Sequence, residues 1–261
     1  MKKLFLLAFL VLIALPAQAA TIPVNQLAPG NLIRGSSHNA VYYYGVDGMR
    51  YVFPNVKTYF TWYSDFNSVT WVSDQELASI QIGGNVTYKP GIKLLKIISS
   101  PTVYAVDGGS VLRPISSEQV AEELYGTAWN TLVDDVPDGF FSNYTIGAPI
   151  SLASTYDPVA EANDAYNINN DKNLKPFIHI YITDSGYNLP TTTIPRDTAI
   201  RFVNNSTEKA TASEWDGIWG SGTLNPGEHF TRYFRENSIG RWNFYNKYKS
   251  KETMQGTLIV E

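Results

Sequence analysis

The rhythm of apolar and polar positions divides the chain into stretches of different character. An unbroken apolar run from Leu4 to Leu15 follows Lys2 and Lys3, then gives way to Pro16 and the small-residue pattern Ala17-Gln18-Ala19. A membrane-spanning helix needs about 20 apolar residues, so this shorter run with a cleavage-type end predicts a signal peptide over 1–19. The mature chain then starts near Ala20 or Thr21. Next come short alternating stretches broken by turn residues. Val41-Tyr42-Tyr43-Tyr44, Asp47-Gly48 and Tyr51-Val52-Phe53 together make a hairpin pattern. From Ser151 to Asn173 the apolar periodicity fades into Ser, Asp, Asn and Ala. That stretch predicts a partly ordered linker, because it has little apolar surface to offset its ordering entropy. Alternation returns after Lys175, with Ile178, Ile180 and Ile182 set against Phe177, His179 and Tyr181, and Ile200 and Phe202 against Arg201. Phe230, Phe234, Leu258 and Val260 continue it, and strands of this spacing imply a β-sandwich or barrel.

The first half reads as a tandem repeat. Pro29-Gly30 is matched by Pro90-Gly91, Tyr44-Gly45-Val46-Asp47-Gly48 by Tyr104-Ala105-Val106-Asp107-Gly108, and Pro54 by Pro114, at offsets of 60 to 61 residues. Two α+β copies are expected, about 27–88 and 89–150, each a hairpin followed by a short helix. In the second copy Ser116 is expected to cap a helix with Gln119 reciprocating, Ile115 and Val120 as the staple, and Gly126 as its end. In the first copy Ser73 and Glu76 form the corresponding box, with Val72 and Leu77 as the staple.

Composition narrows the chemistry. The chain has no cysteine, so disulfides and every thiolate site or nucleophile are excluded. Its formal charge of −4 includes Lys2 and Lys3 and becomes −6 once they are removed, which argues against nucleic acid or anionic lipid as partner. Beyond 1–19 no apolar stretch approaches a membrane span, and because Glu261 falls in an apparent strand no covalent sorting signal is expected. An extracytoplasmic protein is expected: secreted, periplasmic or on the cell surface.

The segment from about 174 to 261 resembles a small cupredoxin of the plastocyanin type. The resemblance rests on motifs in order: Asp184-Ser185-Gly186-Tyr187, Ile194-Pro195, Ile200-Arg201-Phe202-Val203-Asn204-Asn205, Ser221-Gly222-Thr223-Leu224-Asn225-Pro226-Gly227-Glu228, Gly240, Phe244-Tyr245, and the run Met254 to Glu261. It implies an all-β Greek-key sandwich. It also implies a copper site of two histidines, a cysteine thiolate and a weak axial methionine. Carried over, the first histidine falls on Ala210, the cysteine on Asn246 and the second histidine on about Lys249; Met254 alone is retained. The chain is therefore expected to be metal-free at this end, with no cofactor. The first half is similar to a tandem module of exported bacterial proteins without known activity, carried by the run Val41 to Asn55. That similarity adds location and architecture but no chemistry.

The remaining candidates are weighed against ordinary structural roles. His38, His179 and His229 are not spaced as metal ligands in sequence. Eleven aromatic residues lie between Tyr42 and Trp71, and Trp62, Tyr63 and Trp71 are the candidates to stack on sugar rings. Core packing is the heavier reading, since aromatic side chains are chiefly carriers of buried area. Asp134-Asp135, Glu122-Glu123 and Asp47 show no paired placement for glycoside hydrolysis, and no hydrolase motif occurs. An enzyme is not expected. The expected role is a non-catalytic surface or envelope protein acting in attachment or assembly, with cell-surface glycan or other envelope proteins as partners. The alternatives are a copper or electron-transfer protein with a non-thiolate site built on Met254 and a histidine such as His229, and a glycan or cell-wall binding module.

Overall fold

The computed structural model describes residues 21–261, so the expected signal peptide lies outside the described residues. The described chain is mostly β, in several sheets joined by short helices. None of those helices is long and apolar enough to cross a membrane.

The first sheet comprises β1 (Leu32–Arg34), β2 (Tyr42–Tyr44), β3 (Arg50–Val52), β4 (Val69–Trp71) and β5 (Ile82–Asn85). Helix α1 (Val56–Trp62) joins β3 to β4, and α2 (Asp74–Ser79) joins β4 to β5. The order is β4-β1-β2-β3-β5, an antiparallel centre flanked by parallel outer strands. The second sheet comprises β6 (Leu94–Ile97), β7 (Tyr104–Asp107), β8 (Val111–Pro114), β9 (Val133–Val136) and β10 (Thr145–Ile146), with α3 (Glu118–Tyr125) and α4 (Asp138–Phe141) between strands. Its order, β9-β6-β7-β8-β10, carries the same senses at corresponding positions.

The two hairpin ladders correspond at an offset of 62, not the 60 to 61 read from the motifs: Tyr42 pairs with Val52, and Tyr104 with Pro114. Val46-Asp47-Gly48 lies in the turn after β2, whereas Val106 and Asp107 still belong to β7. A slip of two residues leaves every side chain on its original face, so alternation alone does not expose it. The positive-φ turn positions, Gly48 at 73° and Ser110 at 64°, also correspond at 62.

Both faces of each of these sheets are covered, which explains the aromatic density of the first. Tyr43 and Tyr51 pack with Leu32, Phe53 and Tyr59 on one side, while Tyr44 packs with Ile33, Val72, Leu77 and Ile80 on the other. The Ser73 cap forms as expected, its hydroxyl accepting from Glu76 N at 3.2 Å. Two local details differ. Ser117, one residue after Ser116, caps α3 by accepting from Val120 N, and Gln119 bonds Glu123 instead of reciprocating. Helix α1, capped by Asn55 accepting from Thr58 N at 2.8 Å, has no place in the one-helix expectation.

The segment 151–173, expected as a partly ordered linker, is packed and folded along most of its length. Tyr156, Ala165 and Ile168 are buried, and the segment folds into α5 (Pro158–Asp164) and α6 (Ile168–Asp171). Its polar side chains accept from turn amides that would otherwise need water. Asn169 Oδ1 takes Val46 N at 2.9 Å, Asp171 Oδ1 takes Gly109 N at 3.0 Å, and Glu161 Oε2 takes Gly108 N at 3.3 Å. Low apolar content is thus offset by charge-assisted and amide hydrogen bonds to the two hairpin turns.

The remainder is a sandwich of two four-stranded sheets. Its strands are β11 (Ile178–Thr183), β12 (Gly186–Tyr187), β13 (Thr191–Ile194), β14 (Thr198–Asn204), β15 (Ser213–Glu214), β16 (His229–Phe234), β17 (Gly240–Tyr245) and β18 (Gln255–Val260). The sheet orders are β12-β11-β14-β16 and β13-β18-β17-β15. Ile180, Ile182, Phe202, Phe234, Phe244 and Leu258 fill the space between them, as the alternation predicts. The outer face of β14 turns toward the first sheet. There Ala199 joins the cluster of Tyr43 and Tyr51, and Arg201 Nη2 donates to Gly48 O at 3.0 Å.

Candidate functional site

One end of the sandwich gathers the four positions at which the cupredoxin resemblance puts copper ligands. Ala210 is fully buried, and its backbone bridges Leu224 through paired hydrogen bonds of 3.0 and 2.8 Å, so its methyl group sits within the apolar core. Asn246 is also buried. Its Oδ1 accepts from Thr211 N at 3.0 Å and Tyr248 N at 3.1 Å, and its Nδ2 donates to Met254 Sδ at 3.3 Å. The one retained ligand type therefore already has an amide partner. Lys249 swings to the rim and donates to Glu208 at 2.8 Å, so its charge is matched by a carboxylate. Asn246, Lys249 and Met254 line a polar basin of about 200 Å³ together with Asp184 and Thr207. The donor set offers one thioether, amides, hydroxyls and a paired ammonium, which is no set for a cupric or cuprous ion.

The histidines assemble differently from their sequence spacing. His179 on β11 and His229 on β16 flank β14 and, with Arg201, line a cavity of about 590 Å³ that Val24 and Glu76 close from the first half of the chain. His179 stacks on Tyr181, with ring centres 5.4 Å apart and planes within 2°. Burial, reinforced by Arg201 and His179, pushes the His229 imidazole down to about 4, so it is neutral at ordinary pH. Met254 lines the polar basin and not this cavity, so the pair required by a non-thiolate copper site is not brought together. Among the described residues no group of three or more His, Cys, Asp or Glu is placed to hold a metal ion. His38 contributes only its carbonyl, to Arg34 Nη2 at 3.2 Å.

The aromatic candidates divide between core and surface. Trp62 Nε1 donates to Thr87 O at 2.8 Å with Lys89 over its ring, and Tyr63 packs edge-on against Phe53 at 6.0 Å. Burial pushes the Tyr63 hydroxyl above its usual range. Both are half-buried and tie α1 to its surroundings. Trp71 is half-buried too, with the Arg34 guanidinium 4.1 Å from its ring centre. It lines a basin of about 300 Å³ that shares Asn39, Val41 and Phe66 with a larger cleft of about 470 Å³. That larger cleft holds the residues the sequence did not single out as a site: Phe66, Asn39, Asn55 and Asn85 beside buried Phe53 and Tyr59. Phe66 is 47% exposed, and stacks one face on Tyr59 at 4.3 Å and 21°, so the ring is held while its other face is open. An exposed aromatic next to asparagines was the available signal, but the asparagines are distant in sequence.

No known family profile matches the chain, and no curated protein matches it. Solved structures similar to part of it include the purple cupredoxin from Nitrosopumilus maritimus, at 20% identity over 32% of this chain and 98% of that one, with a TM-score of 0.28. Amicyanin from Paracoccus versutus is similar at 19% identity over 33% of this chain and 81% of that one, TM-score 0.28. A copper-containing nitrite reductase from Thermus scotoductus is similar at 18% identity over 34% of this chain and 23% of that one, TM-score 0.30.

Proposed function

We propose that the chain is a non-catalytic exported protein acting in surface attachment or assembly, built from two copies of one hairpin-and-helix module followed by a cupredoxin-like sandwich that carries no metal. The observation carrying this reading is the buried bond from Asn246 to Met254 Sδ, which occupies the retained ligand with protein structure. The matching strand orders and the shared hairpin-ladder offset of 62 support two copies of one module. The connecting segment bonded to both hairpin turns supports a body able to transmit load between a bound surface and the sandwich.

Two measurements test it on the mature chain. Incubation with copper followed by desalting and elemental analysis is expected to leave no stoichiometric metal, and one retained copper per chain replaces this reading with a copper-binding one. Labelled protein is expected to sediment with washed envelope fragments of the producing cell. Complete recovery in the supernatant removes the attachment role.

A further inference from the structure

The large cleft beside Phe66 has a counterpart in the second sheet. Val41, Phe53, Asn55 and Tyr59 line the first. Val103, Ile115, Ser117 and Ala121 line the second, a cleft of about 510 Å³. Each residue of the second set stands 62 positions after its counterpart, the shift that relates the two hairpin ladders. An aromatic ring borders each cleft, Phe66 in one and half-buried Trp129 in the other. The concavity therefore belongs to the fold of both sheets, and both copies fill its wall with an aromatic residue although most of the other side chains differ.

The lining chemistry selects the ligand. No charged side chain borders the first cleft. Three amides do, and each is half-used: Asn55 Oδ1 accepts from Thr58 N, Asn39 Oδ1 accepts from Arg34, and Asn85 Nδ2 donates to Asn143. Their other ends have no protein partner among the described residues, leaving two donors and one acceptor around an apolar floor. A hydrocarbon ligand would strip water from these amides without replacing it, and a phosphate would find no cation. Glu118 at the edge of the second cleft, and the overall negative charge, disfavour acidic polymers. What fits is an uncharged ring with one apolar face and hydroxyls at its edge, in a cavity within the usual range of about 300–1,000 Å³ for small-ligand sites.

We propose that these two clefts bind a neutral polysaccharide, one stretch of sugar units in each. This deepens the attachment reading and rests on it. Two modest sites on one chain raise the apparent affinity for a polymer long enough to reach both by about 100-fold or more over a short fragment.

The test is affinity electrophoresis and calorimetry of the mature protein with neutral glucan, mannan and N-acetylglucosamine polymers, their short oligomers, and polygalacturonate as the acidic control. Variants are Phe66→Ala, Trp129→Ala, their combination, and the exposed-rim variant Asn39→Ala, each checked for an unchanged melting curve. The expected result is binding to at least one neutral polymer, weakened about 100-fold by either aromatic variant, which removes the two-site gain, abolished by the double variant and weakened by Asn39→Ala, with no binding to polygalacturonate. Failure to bind every neutral polymer, preference for the acidic one, or binding indifferent to all variants overturns the proposal. Envelope sedimentation separates the two readings. Sedimentation that survives the double variant, or is lost when the fragments are treated with protease, overturns the saccharide sites while leaving attachment standing; absence of sedimentation by the unaltered protein overturns both.

Discussion

Asn246 donates through Nδ2 to the sulfur of Met254 across 3.3 Å, with both side chains at most 5% exposed. The same amide accepts two backbone N–H groups through Oδ1, so Asn246 organises the loops at this end of the sandwich without help from an ion. Replacing it with alanine leaves the buried Thr211 N–H and the Tyr248 N–H without their acceptor. Asn246→Ala is expected to destabilise the protein by about 2–4 kcal/mol, whereas Met254→Leu, which keeps volume and loses only a weak acceptor, costs under about 1.5 kcal/mol. Denaturant titration of both variants checks the order; equal losses would contradict the central role given to Asn246.

Arg201 couples the sandwich to the first sheet. Its Nη2 donates to Gly48 O, its Nε donates to Thr231 Oγ1 at 2.9 Å, and its guanidinium lies 3.9 Å from the Phe177 ring centre. Gly48 has φ 73°, and a β-carbon there would run into the guanidinium. Gly48→Ala thus adds left-handed backbone strain of roughly 1–2 kcal/mol and also displaces Arg201. In an Arg201→Ala background the guanidinium clash is gone, and the backbone strain and a close approach to the Phe177 ring remain. A double-mutant cycle is expected to show the two changes non-additive by about 1 kcal/mol, the combined loss being less than the sum. Strict additivity would mean the contact contributes nothing.

Much of the β architecture was legible because strand alternation is a direct imprint of a two-sided sheet. Ile180, Ile182, Phe202 and Val260 are buried as their spacing requires. The Ser73 cap was legible because a capping box is local. What escaped depended on partners far along the chain. The parallel outer strands β4, β5, β9 and β10 are short and carry little periodicity, and the packing of α6 rests on Asn169 and Asp171 meeting turns more than 60 residues away. Of the candidate aromatics, Trp62 and Tyr63 are explained by anchoring α1, while Phe66, exposed and backed by Tyr59, was hidden among eleven similar residues.

Glu161 gives the connecting segment a pH dependence. Burial, then the neighbouring Asp107 carboxylate, raise its carboxyl to about 7, opposed by the Gly108 amide; Asp164 on the same helix adds to the rise. The folded state therefore holds a proton that the unfolded chain releases near 4.5. This contribution is fully present below 4.5 and is lost as pH rises through about 7. Thermal melts from about pH 6.5 to 7.5, where no other limb opposes it, are expected to show falling stability with rising pH, and Glu161→Gln, which cannot ionise, is expected to flatten that slope. A variant with the unaltered slope would place its origin elsewhere.

His229 acts with the opposite sign. Its imidazole, depressed to about 4 by burial and by Arg201 and His179 against a weaker pull from Glu228, stays neutral in the folded chain while the unfolded chain takes up a proton near 6.5. The stability tied to neutral His229 is fully present above 6.5 and is lost as pH falls toward 4, the reverse of the Glu161 limb. Between about 4.5 and 6.5 the two effects oppose each other, so the unaltered protein is expected to show a shallow profile there. Single variants uncover each limb. His229→Gln is expected to remove the acid loss and make the protein more stable at pH 5 relative to pH 7 than the unaltered chain. Glu161→Gln should do the reverse, exposing a steeper fall on acidification. The His229 limb depends on its burial in the cavity between the sandwich and the first sheet. Protection of the Val24 and His229 amides, taken relative to the intrinsic exchange rate at each pH, is therefore expected to fall on acidification in the unaltered protein and to stay level in His229→Gln, and protection that tracks pH identically in both would rule out His229 as the titrating group.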